Sequence, residues 1–272
     1  MLKKPFEGDD MGILVTGAAG FIGEPLAESL AARPFARSLG NLTQSPEVLN
    51  AACDGVTKLV HFAYPKDYER PTGEAMAMLQ NVIDVCRARN IHLFLPSSWR
   101  VFDGLVGTVT DDMMPAPISQ YGEAKAEEER VAQESGVKLT ILRLSCVYGP
   151  RSTRPAVIRH FARALREGEP VRPHKFENGY PTLNLMHVAD AVNLIAERVE
   201  KGEEGVFHLG PRLPVSTPDI ARMIAANLGV DYIQKDDPQP GSTPHICFQP
   251  SDGCEAQRSL MAGLGEMAFL VD

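Results

Sequence analysis

Two residues with the chemistry of an acid–base pair, Tyr121 and Lys125, stand four positions apart in the sequence. Residues 124–135 (AKAEEERVAQES) have a strongly helical composition, and a spacing of four places both side chains on one helix face. An ammonium group beside a phenol favours phenolate and so lowers the pKa of such a phenol towards that of a working acid or base. An exposed Tyr and Lys on a solvated helix would show the same spacing, so the pair alone leaves both interpretations open.

Serine hydroxyls form the second candidate group. Ser97 and Ser98 directly follow residues 91–96, an apolar run with the composition of a buried strand. Ligands of open parallel sheets bind at the edge where the strands have their carboxyl ends. The two hydroxyls are therefore expected at a ligand-binding edge.

A glycine-rich stretch offers a third kind of chemistry, the binding of phosphate. Gly17, Gly20 and Gly23 recur at a spacing of three after the apolar residues 13–16, which is typical of a strand, a tight turn and a helix. The first glycine allows the sharp turn, the second lets the backbone approach a pyrophosphate, and the third lets the helix pack close to the strand. The stretch predicts a dinucleotide cradle, although a structural turn uses glycine for the same reason.

Strand-like and helical segments alternate along the chain, and this order must position the three candidate groups. The apolar runs at 58–63, 91–96 and 138–144 are separated by segments of helical composition, which predicts an α/β fold with a parallel sheet. Residues 34–40 have room for one strand at most, so the sheet is expected to be one strand short after the first helix. No Asp or Glu stands about 20 residues after the glycines, where dinucleotide folds commonly bind the adenosine ribose.

The composition of the chain limits the kinds of molecule that it is expected to bind. The 272 residues carry a net charge of −8 without a Lys/Arg block, so a nucleic-acid partner is not expected, and small molecules are. No apolar run approaches the roughly 20 residues of a membrane span, and the first residues lack the apolar core of a signal peptide. Five cysteines without a CxxC pair indicate free thiols and a cytoplasmic protein, and seven histidines without ligand spacing predict no metal site.

Taken in order, these motifs resemble those of the extended short-chain dehydrogenase/reductases, the NAD-dependent epimerase/dehydratase family. The resemblance covers about residues 12–241 and includes two further segments, HVADAV at 187–192 and GVFHLG at 205–210. It implies a Rossmann-type, doubly wound parallel sheet over residues 1–150. It also implies a small C-terminal substrate lobe over residues 151–272, with a return to the core around 183–210.

The resemblance also implies a reaction. A hydride would pass between NAD or NADP and a secondary alcohol or ketone of a sugar-like or polyol substrate, with Tyr121 as acid/base, Ser98 as a hydrogen-bond donor and Lys125 as the supporting cation. A homodimer is a further family expectation. The implied cofactor-binding residues are Gly17, Gly20, Phe21, Ile22, Asn41, Leu42, Phe62, Ala63, Tyr121 and Lys125.

Several positions depart from the family pattern. Trp99 and Arg100 stand where 4,6-dehydratases have an Asp-Glu pair, so dehydration by that route is not expected. Leu183 and Gln239 stand where arginines hold the diphosphate of a nucleotide sugar, and neither side chain can replace bidentate anion recognition. Asn41 replaces the family's usual Asp beside the adenine pocket.

Trp99, Arg100 and Arg151 are the candidate substrate residues, since the first two come directly after Ser98 and the third follows a predicted strand end. We hypothesise that Arg100 pairs with a substrate carboxylate or phosphate. The alternative is that Trp99 packs internally and Arg100 points to solvent. The alternative function is a non-catalytic dinucleotide-binding or regulatory protein that kept the fold after losing the second strand.

Overall fold

The computed structural model describes residues 12–40, 42–43, 46–65, 67, 73–152 and 155–267. The strands are β1 (Ile13–Thr16), β2 (Arg33–Phe35), β3 (Lys58–His61), β4 (His92–Ser98), β5 (Gly107–Val109), β6 (Leu139–Leu144), β7 (Cys146–Tyr148), β8 (His174–Lys175), β9 (Thr182–Leu183), β10 (Leu185–His187), β11 (Gly205–Leu209), β12 (Val215–Ser216), β13 (Asp237–Pro238) and β14 (Ile246–Phe248). The helices are α1 (Gly23–Ser29), α2 (Pro46–Ala52), α3 (Gly73–Arg89), α4 (Gln120–Glu134), α5 (Ala156–Arg166), α6 (Val188–Lys201), α7 (Thr217–Leu228) and α8 (Leu260–Gly265). A short 3-10 helix spans Trp99–Phe102.

Six strands form the largest sheet, in the order β11-β6-β4-β3-β1-β2. β1 pairs in parallel with β2 on one side and with β3 on the other. The strand order therefore reverses at β1, and in doubly wound sheets such a reversal opens a crevice at the carboxyl ends of the strands. The sheet places the glycine-rich turn, which follows β1, at this crevice.

The chain groups into two compact units, each made of several segments. Unit 1 comprises Met1–Ser97, Glu123–Leu142 and Ile195–Val206, and unit 2 comprises Ser98–Gly122, Arg143–Leu194 and Phe207–Asp272. The predicted division into 1–150 and 151–272 stays a prediction beside this interleaved grouping.

Unit 1 packs around the parallel strands. The strands β1, β3 and β4 read as apolar runs because both faces of a parallel sheet are covered. The helix α3 buries Met78, Leu79, Val82, Ile83 and Cys86, which recur at helical spacing, against this core. Each such aliphatic side chain stabilises the fold by roughly 1.5–3 kcal/mol when fully buried.

Unit 2 has a separate core built mainly by helices. The helices α5 and α7 bury apolar faces in one cluster together with Tyr148 and Leu264. Four two-stranded pairs, β7 with β10, β9 with β12, β8 with β13 and β5 with β14, complete the unit. Ser216 is the N-cap of helix α7, and Gly229, with a left-handed φ of 66°, is its C-cap. Both ends of the helix therefore have standard capping residues.

The α/β class, the strands near 58–63, 91–96 and 138–144, and the helix after Gln120 are confirmed. The sheet is also one strand short: between α1 and β3 the described residues form a single strand, β2. The structure corrects one detail of this prediction. The second strand is present, since β2 pairs with β1. In the described part of the chain, no strand lies beyond β2 at that edge of the sheet. Within the described ranges, no helix is both long enough and apolar enough to cross a lipid bilayer.

Candidate functional site

A cavity of about 340 Å³ lies in unit 1 at the carboxyl ends of β1, β2 and β3, and we call it the glycine-turn cavity. It is lined by Gly17, Ala19, Gly20, Phe35, Ala36, Arg37, Gly40, Leu42, Phe62, Ala63, Tyr64 and Met78. The cavity occupies the crevice that the reversed strand order predicts.

The turn that forms this cavity requires glycine at two positions. Gly17 has a φ of 68°, and a Cβ there would lie 2.5 Å from the carbonyl carbon of Phe62. A Cβ on Gly23 would lie 2.3 Å from the carbonyl oxygen of Gly17. Only glycine lets β1, the turn and α1 come this close, so the turn presents bare backbone to the cavity.

Most of the predicted cofactor-binding residues of unit 1 meet at this cavity. Gly17, Gly20, Leu42, Phe62 and Ala63 line it. Phe21 and Ile22 lie in the turn immediately before α1, with Ile22 as the residue that precedes the helix. The predicted contact Asn41 lies outside the described residues.

Several lining residues are not among those predicted from the sequence, including Arg37, Tyr64 and Met78. Arg37 and Tyr64 come shortly after β2 and β3, and the short, proline-containing β2 concealed the position of Arg37. Met78 belongs to α3, and its apolar side chain follows a helical pattern that indicates core packing as readily as a cavity wall.

His61, at the end of β3, is a hydrogen-bonded core residue. Its Nδ1 lies 2.9 Å from Thr16 Oγ1, and the side chain is buried. Burial lowers the pKa of His61 to about 3, and the positive charge of Lys125 adds to the shift. The imidazole is therefore neutral at physiological pH and serves to fix the strand end.

Lys125 lies among polar groups of unit 1. Its Nζ is 2.8 Å from Glu128 Oε2, 3.5 Å from the carbonyl oxygen of Pro96 and 4.1 Å from the ring centroid of Tyr64. The Lys125 side chain is only 9% exposed. Because Tyr64 lines the glycine-turn cavity, the ammonium lies directly behind one wall of that cavity.

The two serines at the end of β4 have different environments. The Ser97 hydroxyl donates to Glu129 Oε1 at 2.5 Å and is buried in unit 1. Ser98 belongs to unit 2, where its hydroxyl accepts a hydrogen bond of 3.2 Å from the Arg100 amide and caps the 3-10 helix. Ser97 is therefore part of the buried interior, whereas Ser98 is partly exposed.

Tyr121 lies in the first turn of α4, and within unit 2 this turn packs on the segment after Ser98. A Cβ on Gly122 would lie 2.3 Å from the carbonyl oxygen of Arg100. The start of α4 therefore rests against backbone only two residues beyond Ser98. Tyr121 is half-buried at this contact.

A second cavity of about 330 Å³, the Trp99 cavity, lies in unit 2. Its lining includes both Trp99 and Arg100, and the full set is Trp99, Arg100, Asp103, Ile118, Ser119, Thr182, Leu183, Asn184, Pro244 and Ile246. Arg100 Nε lies 3.1 Å from Asp103 Oδ2, and its guanidinium carbon lies 5.5 Å from the Trp99 ring centroid. Asp103 also accepts from the Ile118 amide at 2.7 Å, so the carboxylate fixes both Arg100 and the approach to α4.

The remaining substrate candidate, Arg151, is exposed in the turn after β7, with a φ of 71°, and is not among the lining residues of the Trp99 cavity. Leu183 does line this cavity, as well as a third one of about 500 Å³ in unit 2. The third cavity has a basic wall that includes Arg163 and Arg172. The described residues contain no cluster of three or more His, Cys, Asp or Glu side chains that could hold a metal ion.

Known proteins resemble this chain in sequence and in fold. The family described as the RmlD substrate binding domain matches residues 11–245. An uncharacterized UDP-glucose epimerase, YtcB, of Bacillus subtilis is 28% identical over 225 residues, which cover 67% of this chain and 70% of that protein. A dTDP-4-keto-6-deoxy-D-glucose reductase of Streptomyces niveus is 28% identical over 243 residues, covering 80% of this chain and 79% of the reductase.

Among solved structures, the dTDP-glucose 4,6-dehydratase of Bacillus anthracis in complex with NAD has the same fold. Its TM-score is 0.78 with 19% sequence identity, and the match covers 96% of each chain.

Proposed function

This chain belongs to the RmlD substrate binding domain family, within the extended short-chain dehydrogenase/reductases, and on that premise we propose that it is an NAD(P)-dependent oxidoreductase or epimerase. It would transfer a hydride at a secondary alcohol or ketone of a sugar-like or polyol substrate. The observation that carries the proposal is the position of Lys125. Its buried ammonium lies against Tyr64, a wall of the glycine-turn cavity, on the helix that bears Tyr121.

The glycine-turn cavity fits a dinucleotide cofactor. The cradle around Gly17 has no room for a Cβ, so backbone amides rather than side chains face a bound pyrophosphate. Phe62, Ala63 and Leu42 supply the apolar walls. When bound, the cofactor supplies the hydride acceptor or donor; the residues of this chain orient it and manage the proton.

Three side chains carry the proposed proton chemistry. Tyr121 gives a proton to, or takes one from, the substrate oxygen, and Ser98 donates a hydrogen bond to the same oxygen. Lys125, on the same helix as Tyr121, is the proposed supporting cation. Glu128 holds the ammonium at 2.8 Å and fixes its position.

The Trp99 cavity is the proposed substrate site, with Trp99 as an apolar wall and Arg100 as the partner of an anionic substrate group. Relatives that act on UDP- or dTDP-linked sugars support the sugar-like class. Leu183 lines this cavity at a position where the family pattern has an arginine. A nucleotide diphosphate is therefore not part of the proposed substrate.

Free thiols at all five cysteines support a reducing, cytoplasmic setting. Homodimerisation is proposed from the family alone, and sedimentation velocity measures it.

The proposal is tested by calorimetric titration of the protein with NAD, NADH, NADP and NADPH, together with the Tyr121→Phe variant. We expect micromolar binding of at least one cofactor. Tyr121→Phe should reduce turnover at least 100-fold, since general acid–base catalysis contributes about 10²–10⁴-fold, while cofactor affinity changes less than threefold.

Two results would contradict the proposal in different ways. Binding without any loss of turnover in Tyr121→Phe would remove the tyrosine from the mechanism. Failure of all four cofactors to bind would favour the non-catalytic alternative.

A further inference from the structure

In Rossmann-type cavities, residues at and just after the end of the second strand contact the adenosine ribose, and here they include Arg37. β2 ends at Phe35, which pairs with Thr16 in the parallel register, and Arg37 follows two positions later at the cavity wall. Dinucleotide folds that bind NAD place a carboxylate about 20 residues after the glycines, where it accepts hydrogen bonds from the ribose hydroxyls. Counting from Gly17, this chain has an arginine at that point.

The charge of the cavity wall follows from its composition. Among the described residues that line the glycine-turn cavity there is no Asp or Glu, and Arg37 is the one that carries a full charge. A 2′-phosphate is a dianion for which a guanidinium is the best-matched protein partner, because its planar donors bind two phosphate oxygens at once. The hydroxyls of an unphosphorylated ribose would need a carboxylate as hydrogen-bond acceptor, and the described lining residues include none.

Arg37 is also able to reach such a ligand. Its side chain is 60% exposed, and among the described residues Glu74 Oε1 lies 3.9 Å from its guanidinium. An exposed pair at that distance contributes little, so it does not restrain the guanidinium strongly.

We propose that unit 1 binds NADP(H) in preference to NAD(H), with Arg37 as the residue that recognises the 2′-phosphate. This inference rests on the proposed function, since it concerns the cofactor of the same cavity. It goes further by selecting one of the two cofactors and naming the selecting residue.

Calorimetry of the full chain tests the preference without any need for a substrate. The probes are NADP⁺, NAD⁺ and the two fragments 2′,5′-ADP and 5′-AMP, which differ in the 2′-phosphate alone. We expect NADP⁺ to bind at least tenfold more tightly than NAD⁺, and 2′,5′-ADP more tightly than 5′-AMP, because charge-assisted hydrogen bonds of this kind change affinity by roughly 10–100-fold.

Variants then assign the preference to the side chain. Arg37→Ala should weaken NADP⁺ and 2′,5′-ADP at least tenfold and leave NAD⁺ within threefold, and Arg37→Asp should invert the preference. Arg130→Ala is the matched control, since Arg130 is an exposed, ion-paired arginine of unit 1 that does not line the cavity. It should leave all affinities unchanged.

Several outcomes would overturn the inference. Tighter binding of NAD⁺ than NADP⁺ by the wild-type chain would reject the preference and leave the proposed function standing. An unchanged NADP⁺ affinity in Arg37→Ala, or an equal loss for both cofactors, would reject the role of Arg37. Failure of both cofactors to bind the wild-type chain would reject this inference and the proposed function together.

Discussion

The ion pair of Lys125 and Glu128 shows how strongly the contribution of a charged residue to stability depends on its burial. The two side chains are 9% and 5% exposed, whereas Glu127, one position away, is 49% exposed and pairs with Arg130 in solvent. A buried charge that loses its partner stays desolvated, while an exposed charge regains water. The same substitution at neighbouring positions should therefore have very different effects.

We expect Glu128→Gln to lower the free energy of unfolding by about 3 kcal/mol, because the buried Lys125 would lose the counter-charge that lies 2.8 Å from its ammonium. Glu127→Gln, the matched control on the same helix, should have a much smaller effect, because its exposed charge is already solvated. Urea denaturation followed by circular dichroism measures both. Equal effects of the two substitutions would show that the pair does not hold Lys125 as the structure indicates.

At the scale of the element, α4 is a helix whose buried face is charged. Positions 122, 125, 128, 129 and 132 face the interior, and three of them are Lys or Glu. A hydrophobic pattern would place this helix at the surface, which is why the sequence left an exposed Tyr–Lys pair as an open alternative. Glu128 is the buried partner of Lys125, and Glu129 is the buried partner of Ser97. Sequence patterns do not reveal these pairs.

The strands were easier to predict than the cavity walls. β3, β4 and β6 lie in mostly apolar segments of the chain, which are typical of buried strands. β2 has three residues, Arg33, Pro34 and Phe35, and so short a segment with a proline gives only a weak signal for a strand. It forms because β1 offers it a partner, so Arg37 could be placed at the cavity only from the structure.

The contact between α4 and the turn after Ser98 gives a prediction for the element as a whole. Gly122→Ala would place a Cβ 2.3 Å from the Arg100 carbonyl oxygen, so the first turn of α4 must shift and carry Tyr121 with it. A displacement of about 1 Å in a catalytic group commonly costs about 100-fold in rate. We expect turnover to fall by about that factor while cofactor affinity is retained.

Gly73→Ala is the control for this substitution, because Gly73 also begins a helix and its Cβ would meet nothing within 4 Å. Steady-state kinetics and calorimetry separate the two effects. Wild-type turnover in Gly122→Ala would mean that the start of α4 does not position the tyrosine.

At the scale of the whole molecule, both units bury neutral histidines, and this makes the fold sensitive to acid. Burial lowers the pKa of His61 in unit 1 to about 3 and that of His208 in unit 2 to about 4, against an ordinary value of 6.5. Burial also lowers the pKa of His92 and of His187. Below about pH 6.5 the unfolded chain binds protons that the folded chain excludes, so stability must fall as the pH falls from there towards the folded-state values.

Each fully neutral buried histidine contributes a slope of up to about 1.4 kcal/mol per pH unit in that window. We expect the free energy of unfolding to decrease steadily from pH 7 to pH 5, a range chosen because few carboxylates titrate in it. His61→Gln, which retains a side-chain partner for Thr16, should lower the slope by about one histidine's share. His160→Gln is the control, at a histidine that is exposed in the folded chain. Urea denaturation at several pH values measures the slopes, and an unchanged slope in His61→Gln would mean that His61 takes up a proton in the folded chain after all.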